Sequence, residues 1–423
     1  MSGTLPDEIL NWIDGKECPA ASAEMFDKLS PATGSRLFRV ARSRSQDVES
    51  AVASARRSQP AWADSTSVQR GELLHDISQS MRARREEIAA VVSAETGMSP
   101  AQALGETDAA VAQGIFMAGE GRRSYGRTTT SAVPNKQVMT VRQPLGVAGL
   151  IVAANTPIAN VAWKVFPALV CGNGAVLKAA EDTPATAWLF GAIAHEAGLP
   201  PGVLNIVQGT GVEAGAPLVA HPGVDVVSFT GSTDVGREIA AVAGRRLAKL
   251  SLELGGKNPL IVCDDADFEN AARWVLLSAF SNAGQRCAAG SRIIVFDSVY
   301  DRFRDLLVER TRGLRIGPRD EDDLGPVINE TQLANILAVV ARARQRGAVV
   351  LIGGERLAGP EHENGFYMAP TVIENVDPHD EISTREIFGP VTCLYRARDF
   401  AAALHLANDS PYGLTACIHT RSL

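Results

Sequence analysis

The chain has 423 residues, too many for one hydrophobic core, so the length points to roughly two or three domains. With 45% hydrophobic and 21% charged residues and no low-complexity tract, it reads as globular and excludes extended disorder. A formal net charge of −7 gives no reason to expect nucleic acid or an anionic membrane as partner.

From the start, Trp12 to Lys16 reads as a short strand and turn, and Ser30-Pro31-Ala32-Thr33-Gly34 is turn chemistry. Gln46 to Gly121 is helical in pattern. Leu73, Leu74 and Ile77 share one face, which Met81, Ile88, Val91 and Val92 continue. Gly97 closes one of these helices. Residues 128–143 alternate as a β hairpin, an arm for assembly or for the core. Beyond Leu145 short apolar runs alternate with helices. Strands are expected at Val147–Val152, Ala175–Lys178, Val203–Val207, Val226–Phe229 and Lys249–Leu252, with helices at Asn160–Cys171 and Pro184–Ala197. This rhythm predicts a parallel sheet covered on both faces, and a second such series starts at Pro259–Val262. A domain boundary is expected near Gly255-Gly256.

Met1 to Gly15 has acids and no apolar core, unlike a signal peptide. The longest charge-free stretch, Gln143 to Trp163, is broken by Pro144, Asn155, Pro157 and Asn160 and reads as strand, loop and helix rather than a membrane span. Cys18, Cys171, Cys263, Cys287, Cys393 and Cys417 are scattered, with no Cys-x-x-Cys pair. They read as reduced thiols of a cytoplasmic protein without a zinc site.

Several stretches carry chemistry. Cys287 follows Gly284 and precedes Ala288, Ala289 and Gly290, on a turn between the amphipathic run Phe268–Phe280 and the β-type run Arg292–Phe296. Small neighbours leave such a thiol open to substrate and to its own N–H; a buried structural cysteine is the alternative. Lys178 and Glu181 lie just past a strand, where open α/β sheets bind ligands. Either they form a surface ion pair, or the carboxylate accepts hydrogen bonds from a ribose diol and repels a 2′-phosphate. Phe229-Thr230-Gly231-Ser232 ends a strand and opens a helix, whose free N–H groups suit a pyrophosphate; the turn at Gly209 and Gly211 is a weaker signal. Glu253 ends an apolar strand between Leu252 and Leu254, where desolvation is expected to raise its pKa toward that of a general base. Asn155 interrupts an apolar stretch, as a turn or cap residue or as the amide donor of an oxyanion hole with the Cys287 N–H. Glu386-Ile387-Phe388-Gly389-Pro390 joins an acid, a ring and a turn. Asp264, Asp265 and Asp267 read as helix capping rather than a metal site.

Taken together, Leu252-Glu253-Leu254-Gly255-Gly256-Lys257, Gly284-Gln285-Arg286-Cys287, Glu386 to Pro390 and Phe229 to Ser232 resemble the NAD(P)-dependent aldehyde dehydrogenase superfamily, from about Trp12 to the end. The resemblance implies an α/β architecture. A Rossmann-type parallel-sheet cofactor domain would span residues 1–127 and 144–255, with a hairpin oligomerisation arm at 128–143 and an α/β catalytic domain at 256–423. It implies Cys287 as nucleophile, Glu253 as base and Asn155 as oxyanion donor. Lys178 and Glu181 would bind the adenosine ribose and Ser232 the pyrophosphate. Gly211, Phe229, Gly231 and Leu254 would belong to the cofactor site, with Glu386 on the nicotinamide ribose and Phe388 near the nicotinamide.

The implied reaction oxidises a small aldehyde to an acid through a thiohemiacetal and a thioester on Cys287. The implied cofactor is NAD, with NADP possible, and the implied assembly a homodimer or homotetramer. Glu253 argues against the alternative of a CoA-acylating semialdehyde dehydrogenase, since similar enzymes of that kind lack an acid there.

Two departures stand out. Ala153-Ala154-Asn155 replaces the Pro-Trp-Asn of many relatives. In similar enzymes Pro411-Tyr412-Gly413-Leu414 is followed by several dozen residues, so the 423-residue form is expected to be less stable and less active, with a truncated remnant or oligomerisation partner as a further alternative. Arg122, Arg123 and Arg286 are each either a partner for a substrate carboxylate or a solvated charge, and Trp163 and Phe166 face either tunnel or core.

Overall fold

The computed structural model describes residues 5–422. The chain divides into two compact units. The first takes the chain up to Lys28, Arg36–Glu95 and Ala103–Glu253; the second takes Leu29–Ser35, Thr96–Gln102 and the chain from Leu254 onward.

The first unit is built on a seven-stranded sheet in the order Lys249–Glu253, Val226–Thr230, Val147–Ile151, Gly174–Lys178, Leu204–Val207, Asn11–Ile13, Lys16–Cys18. The first five strands run parallel and the last two pair antiparallel. Val147–Ile151, Gly174–Lys178 and Leu204–Val207 are buried at every position, as expected of central parallel strands with both faces covered. Helices Pro157–Val170 and Pro184–Glu196 follow two of these strands. Each has proline at its start, where the missing N–H costs nothing. The last carbonyls of Pro157–Val170 are held by Arg70 Nε on Val170 O at 2.9 Å and by Trp62 Nε1 on Leu169 O at 3.0 Å. Arg127–Thr130 and Gln137–Thr140 form a separate two-stranded antiparallel hairpin with nearly every residue exposed.

The second unit has a six-stranded sheet ordered Val349–Ile352, Thr371–Glu374, Val391–Ala397, Gly290–Phe296, Asn258–Val262, Cys417–His419. All neighbours are parallel except the first pair. Its strand residues alternate between two cores. Leu260, Val262, Ile293 and Val295 pack with helices Phe268–Phe280 and Tyr300–Arg312. Ile261, Ile294 and Phe296 pack with Glu330–Gln345 and Phe400–Asn408. A period of two therefore feeds both faces, which is why these runs read as continuously apolar. Asp267 caps Phe268–Phe280 by accepting from Asn270 N, and Asp265 accepts from Thr420 Oγ1. The last strand, Cys417–His419, lies at the sheet edge, with Ile418 exposed. No helix among the described residues is long and apolar enough to cross a membrane.

Candidate active site

In the second unit, helix Phe268–Phe280 ends at Ser281 and the backbone turns sharply. Asn282, Ala283 and Gly284 all take the left-handed conformation, with φ of 53°, 51° and 68°. Two consecutive non-glycine residues there are costly and must be held by their surroundings. Gln285, buried, does much of the holding: its Oε1 accepts from Ile328 N at 2.8 Å, and its Nε2 donates to Asn282 O at 3.2 Å and Pro326 O at 3.4 Å. The turn delivers Cys287 to the surface, with its side chain exposed beside Ala288. Asn258 pins the far side of the loop, donating from Nδ2 to Cys287 O at 2.7 Å and Ala289 O at 2.9 Å.

The paired glycines of the Leu-Gly-Gly-Lys stretch have a packing cause in the same place. A Cβ on Gly256 would lie 2.8 Å from Cys287 O and 2.7 Å from Asn258 Oδ1, and one on Gly255 would collide with the Glu386 carboxylate. Glu386 accepts from Gly256 N at 3.3 Å. Burial pushes its carboxyl up to about 6, against the pull of that N–H and of the Lys257 ammonium. Phe388 is half-buried with φ of 55°; the carbonyls of Ile387 and Phe388 accept from Gln332 Nε2 at 3.0 and 3.1 Å. The second unit thus brings Cys287, Gly255, Gly256 and Glu386 around one short stretch of backbone, with Leu254 half-buried before it.

In the first unit, Asn155 sits in the loop between strand Val147–Ile151 and helix Pro157–Val170, its Oδ1 3.5 Å from Asn160 Nδ2. Lys178 ends its strand almost wholly buried and donates to Glu181 Oε2 at 2.6 Å, while the Glu181 side chain stays 46% exposed. Burial works to raise the Glu181 carboxyl, but the Lys178 ammonium and the backbone N–H groups of Glu181 and Gly211 outweigh it and hold it below its ordinary value. Lys178, Glu181 and Gly211 are therefore one cluster. A half-exposed, ionised carboxylate at the carboxyl end of a parallel strand is an acceptor that fits the two hydroxyls of a ribose diol. Phe229, buried, lays its ring over Gly231, whose N donates to Glu253 O at 3.1 Å. Ser232 caps helix Thr233–Arg245, accepting from Val235 N.

Glu253 corrects the sequence reading. It was expected to be desolvated between two leucines, but Lys249–Glu253 is the edge strand of its sheet and the Glu253 side chain is exposed. Flanking leucines imply burial only when the strand has cover on both faces.

Lys164, which the sequence reading passed over, carries the electrostatics here. It is 5% exposed, donates from Nζ to Ser228 Oγ at 2.9 Å, and burial pushes its ammonium down to about 8, opposed by the Glu253 carboxylate. A lone lysine in a helix otherwise apolar apart from Asn160 was the available signal. Asn258 was missed too, although it adjoins Lys257. Phe166 belongs to the core, edge-on to Phe190 at 5.7 Å, whereas Trp163 is 51% exposed. Arg122 and Arg123 are exposed and paired with Glu72 at 3.0 Å and Glu120 at 2.7 Å; Arg286 is exposed beside Cys287.

Comparison with known proteins gives these features a family. The sequence pattern of the Aldehyde dehydrogenase family matches residues 18–423. Alpha-ketoglutaric semialdehyde dehydrogenase of Bacillus subtilis (strain 168) is 41% identical over 417 residues, covering 98% of this chain and 86% of the relative. Betaine aldehyde dehydrogenase from Staphylococcus aureus, solved in complex with NAD+, matches with a TM-score of 0.96 at 32% identity, covering 98% of this chain and 83% of that one. A 3,6-anhydro-L-galactose dehydrogenase solved in complex with NAP matches with a TM-score of 0.96 at 36% identity, covering 98% and 87%. The fold and the site motifs define an α/β oxidoreductase. The chain belongs to the aldehyde dehydrogenase family.

Proposed function

We propose that this chain oxidises an aldehyde to a carboxylic acid, with Cys287 as nucleophile, Glu253 as base and NAD as electron acceptor. The observation that carries the reading is the Cys287 turn. Three left-handed residues, a buried glutamine and Asn258 are all committed to presenting one exposed thiol. Such a concentration of strain and support is hard to account for by packing alone.

Cys287 Sγ, as thiolate, adds to the aldehyde carbon. Asn155 Nδ2 and the Cys287 N–H stabilise the thiohemiacetal oxyanion, and a donor of this kind is worth about 100- to 1,000-fold in rate. NAD held at this site would supply the two-electron acceptor for the hydride lost from that carbon, leaving the thioester on Cys287. Glu253 then takes a proton from water, which attacks the thioester carbon; the acid leaves and Sγ is released as thiolate. Glu253 exposed at a strand end has ready access to water. Lys178, Glu181 and Gly211 hold the adenosine ribose, Ser232 and the start of helix Thr233–Arg245 hold the pyrophosphate, and Glu386 holds the second ribose, with Phe388 beside the nicotinamide. Ionised Glu181 supports NAD over NADP. The likeness to a semialdehyde dehydrogenase makes carboxylated aldehydes the first substrate class, and the exposed hairpin supports assembly into a homodimer or homotetramer in the cytoplasm.

The test is NADH production with aliphatic, aromatic and carboxylated aldehydes. Cys287→Ala is expected to abolish turnover, and Glu253→Gln to give one stoichiometric burst and stall. Steady turnover by Glu253→Gln would remove Glu253 from the hydrolytic step. Products found only with CoA would replace hydrolysis by thioester transfer.

A further inference from the structure

Helix Pro157–Val170 has a start that its own sequence does not satisfy. Its N-cap residue, Thr156, makes no side-chain cap, because Thr156 Oγ1 is taken by Asn160 Nδ2 at 3.0 Å. The acceptor comes instead from a distant part of the chain. Glu106, on helix Pro100–Glu120, takes both Ile158 N at 2.9 Å and Ala159 N at 3.1 Å on its Oε1. A carboxylate meeting two free N–H groups at the positive end of a helix is a strong tether. The same arrangement recurs at the next helix. Pro184–Glu196 also starts Thr-Pro without its own cap, and Glu95 accepts Ala185 N at 2.7 Å and Thr186 N at 2.9 Å. In both cases the helix start adjoins a loop assigned to the site: Asn155 before the first, Glu181 before the second.

We propose that Glu106 is a positioning residue for the oxyanion donor: by seating the first turn of helix Pro157–Val170 it fixes Asn160, and through Asn160 the amide of Asn155. The link is short. Asn160 Nδ2 donates to Thr156 O at 3.0 Å and lies 3.5 Å from Asn155 Oδ1, so the oxygen end of the Asn155 amide faces the helix. Glu106 is assigned to no reacting atom; its hold on the helix runs through the backbone N–H groups of Ile158 and Ala159. An oxyanion donor must be held to a fraction of an ångström, so a slack first turn costs rate without altering any catalytic group.

This rests on the reading of Asn155 as oxyanion donor, and the experiment separates the two. Glu106→Ala, Glu106→Gln, Asn155→Ala and the double variant Glu106→Ala/Asn155→Ala are compared by hydrogen–deuterium exchange, NAD affinity and steady-state kinetics with the best aldehyde of the panel. Glu106→Ala is expected to speed exchange in the peptide spanning 153–161 and to leave exchange in the sheet strands unchanged. It should lower kcat about tenfold, with aldehyde KM and NAD affinity within about twofold. Glu106→Gln keeps an acceptor oxygen and should restore most of both signals. In the Asn155→Ala background the Glu106→Ala change should cost less than about twofold, since its effect passes through the missing amide. Unchanged exchange at 153–161 in Glu106→Ala overturns the proposal, as does an undiminished penalty in the double variant. Full turnover by Asn155→Ala would instead overturn the assignment of Asn155 itself.

Discussion

Replacing Lys164 by methionine tests the electrostatics of the first unit. The ammonium is buried, and its pKa of about 8 against an ordinary 10.5 reflects burial first, partly offset by Glu253. At about 1.4 kcal/mol per tenfold change in proton affinity, the fold disfavours the charged form by roughly 3 kcal/mol at most. Lys164→Met fills the same space without charge, and it removes the donor to Ser228 Oγ, worth about 1 kcal/mol. At pH 7 the variant should therefore be more stable than the parent by about 1–2 kcal/mol. The sign with pH follows from proton counts. Between about 8 and 10.5 the unfolded lysine still holds its proton and the folded one has released it, so parental stability rises with pH across that window. The advantage of Lys164→Met should be constant below pH 8 and shrink toward zero or reverse as pH approaches 10.5. Urea unfolding of both proteins from pH 6.5 to 10 measures it. A variant less stable than its parent at pH 7, by an amount independent of pH, would refute the argument and recast Lys164 as a structural hydrogen-bond donor. If Lys164 also serves the reaction, the stabilised variant will be slower, the usual exchange at a site that carries a costly group.

Three further outcomes are expected. Gly284→Ala must place a Cβ against the Gly389 carbonyl oxygen at φ of 68°, so it should cost 3 kcal/mol or more, read as a loss of folded yield or a lower urea midpoint. Gly255→Ala meets only the movable end of Glu386. Stability should fall by about 1 kcal/mol or less while NAD affinity drops several-fold in a fluorescence titration; unchanged affinity would detach Glu386 from the cofactor. Glu95 is fully buried, and burial pushes its carboxyl up to about 7 despite hydrogen bonds from Thr186 and Ala185 and the Lys28 ammonium. A folded pKa above the unfolded one means that the folded state loses relative stability as pH rises from the ordinary carboxylate range to about 7. Glu95→Gln should therefore gain on its parent over that interval and hold a constant difference above it, as measured by urea midpoints from pH 5 to 8.

What the sequence disclosed and what it withheld follow a physical division. The exposed thiol was legible because the requirements around Cys287 are local. A turn needing left-handed backbone and small side chains leaves its trace in Gly284, Ala288 and Gly290 themselves. The cluster of Lys178, Glu181 and Gly211 was legible in part, since a strand end followed by a lysine and an acid follows from sheet chemistry alone. Glu253 misled, because leucines on either side predict burial only for a strand covered on both faces, and sheet order is a property of the whole unit. The supporting residues were silent for a different reason. Asn258, Gln285 and Glu106 all grip backbone N–H or C=O groups, which are the same at every position and leave no mark on the partner's identity. Glu106 meets its helix 52 positions away, and Asn258 reaches Cys287 across 29. A side chain that binds backbone can be recognised only once the fold has chosen which backbone it meets. That is why one chain can spell out its chemistry and conceal the parts that hold the chemistry in register.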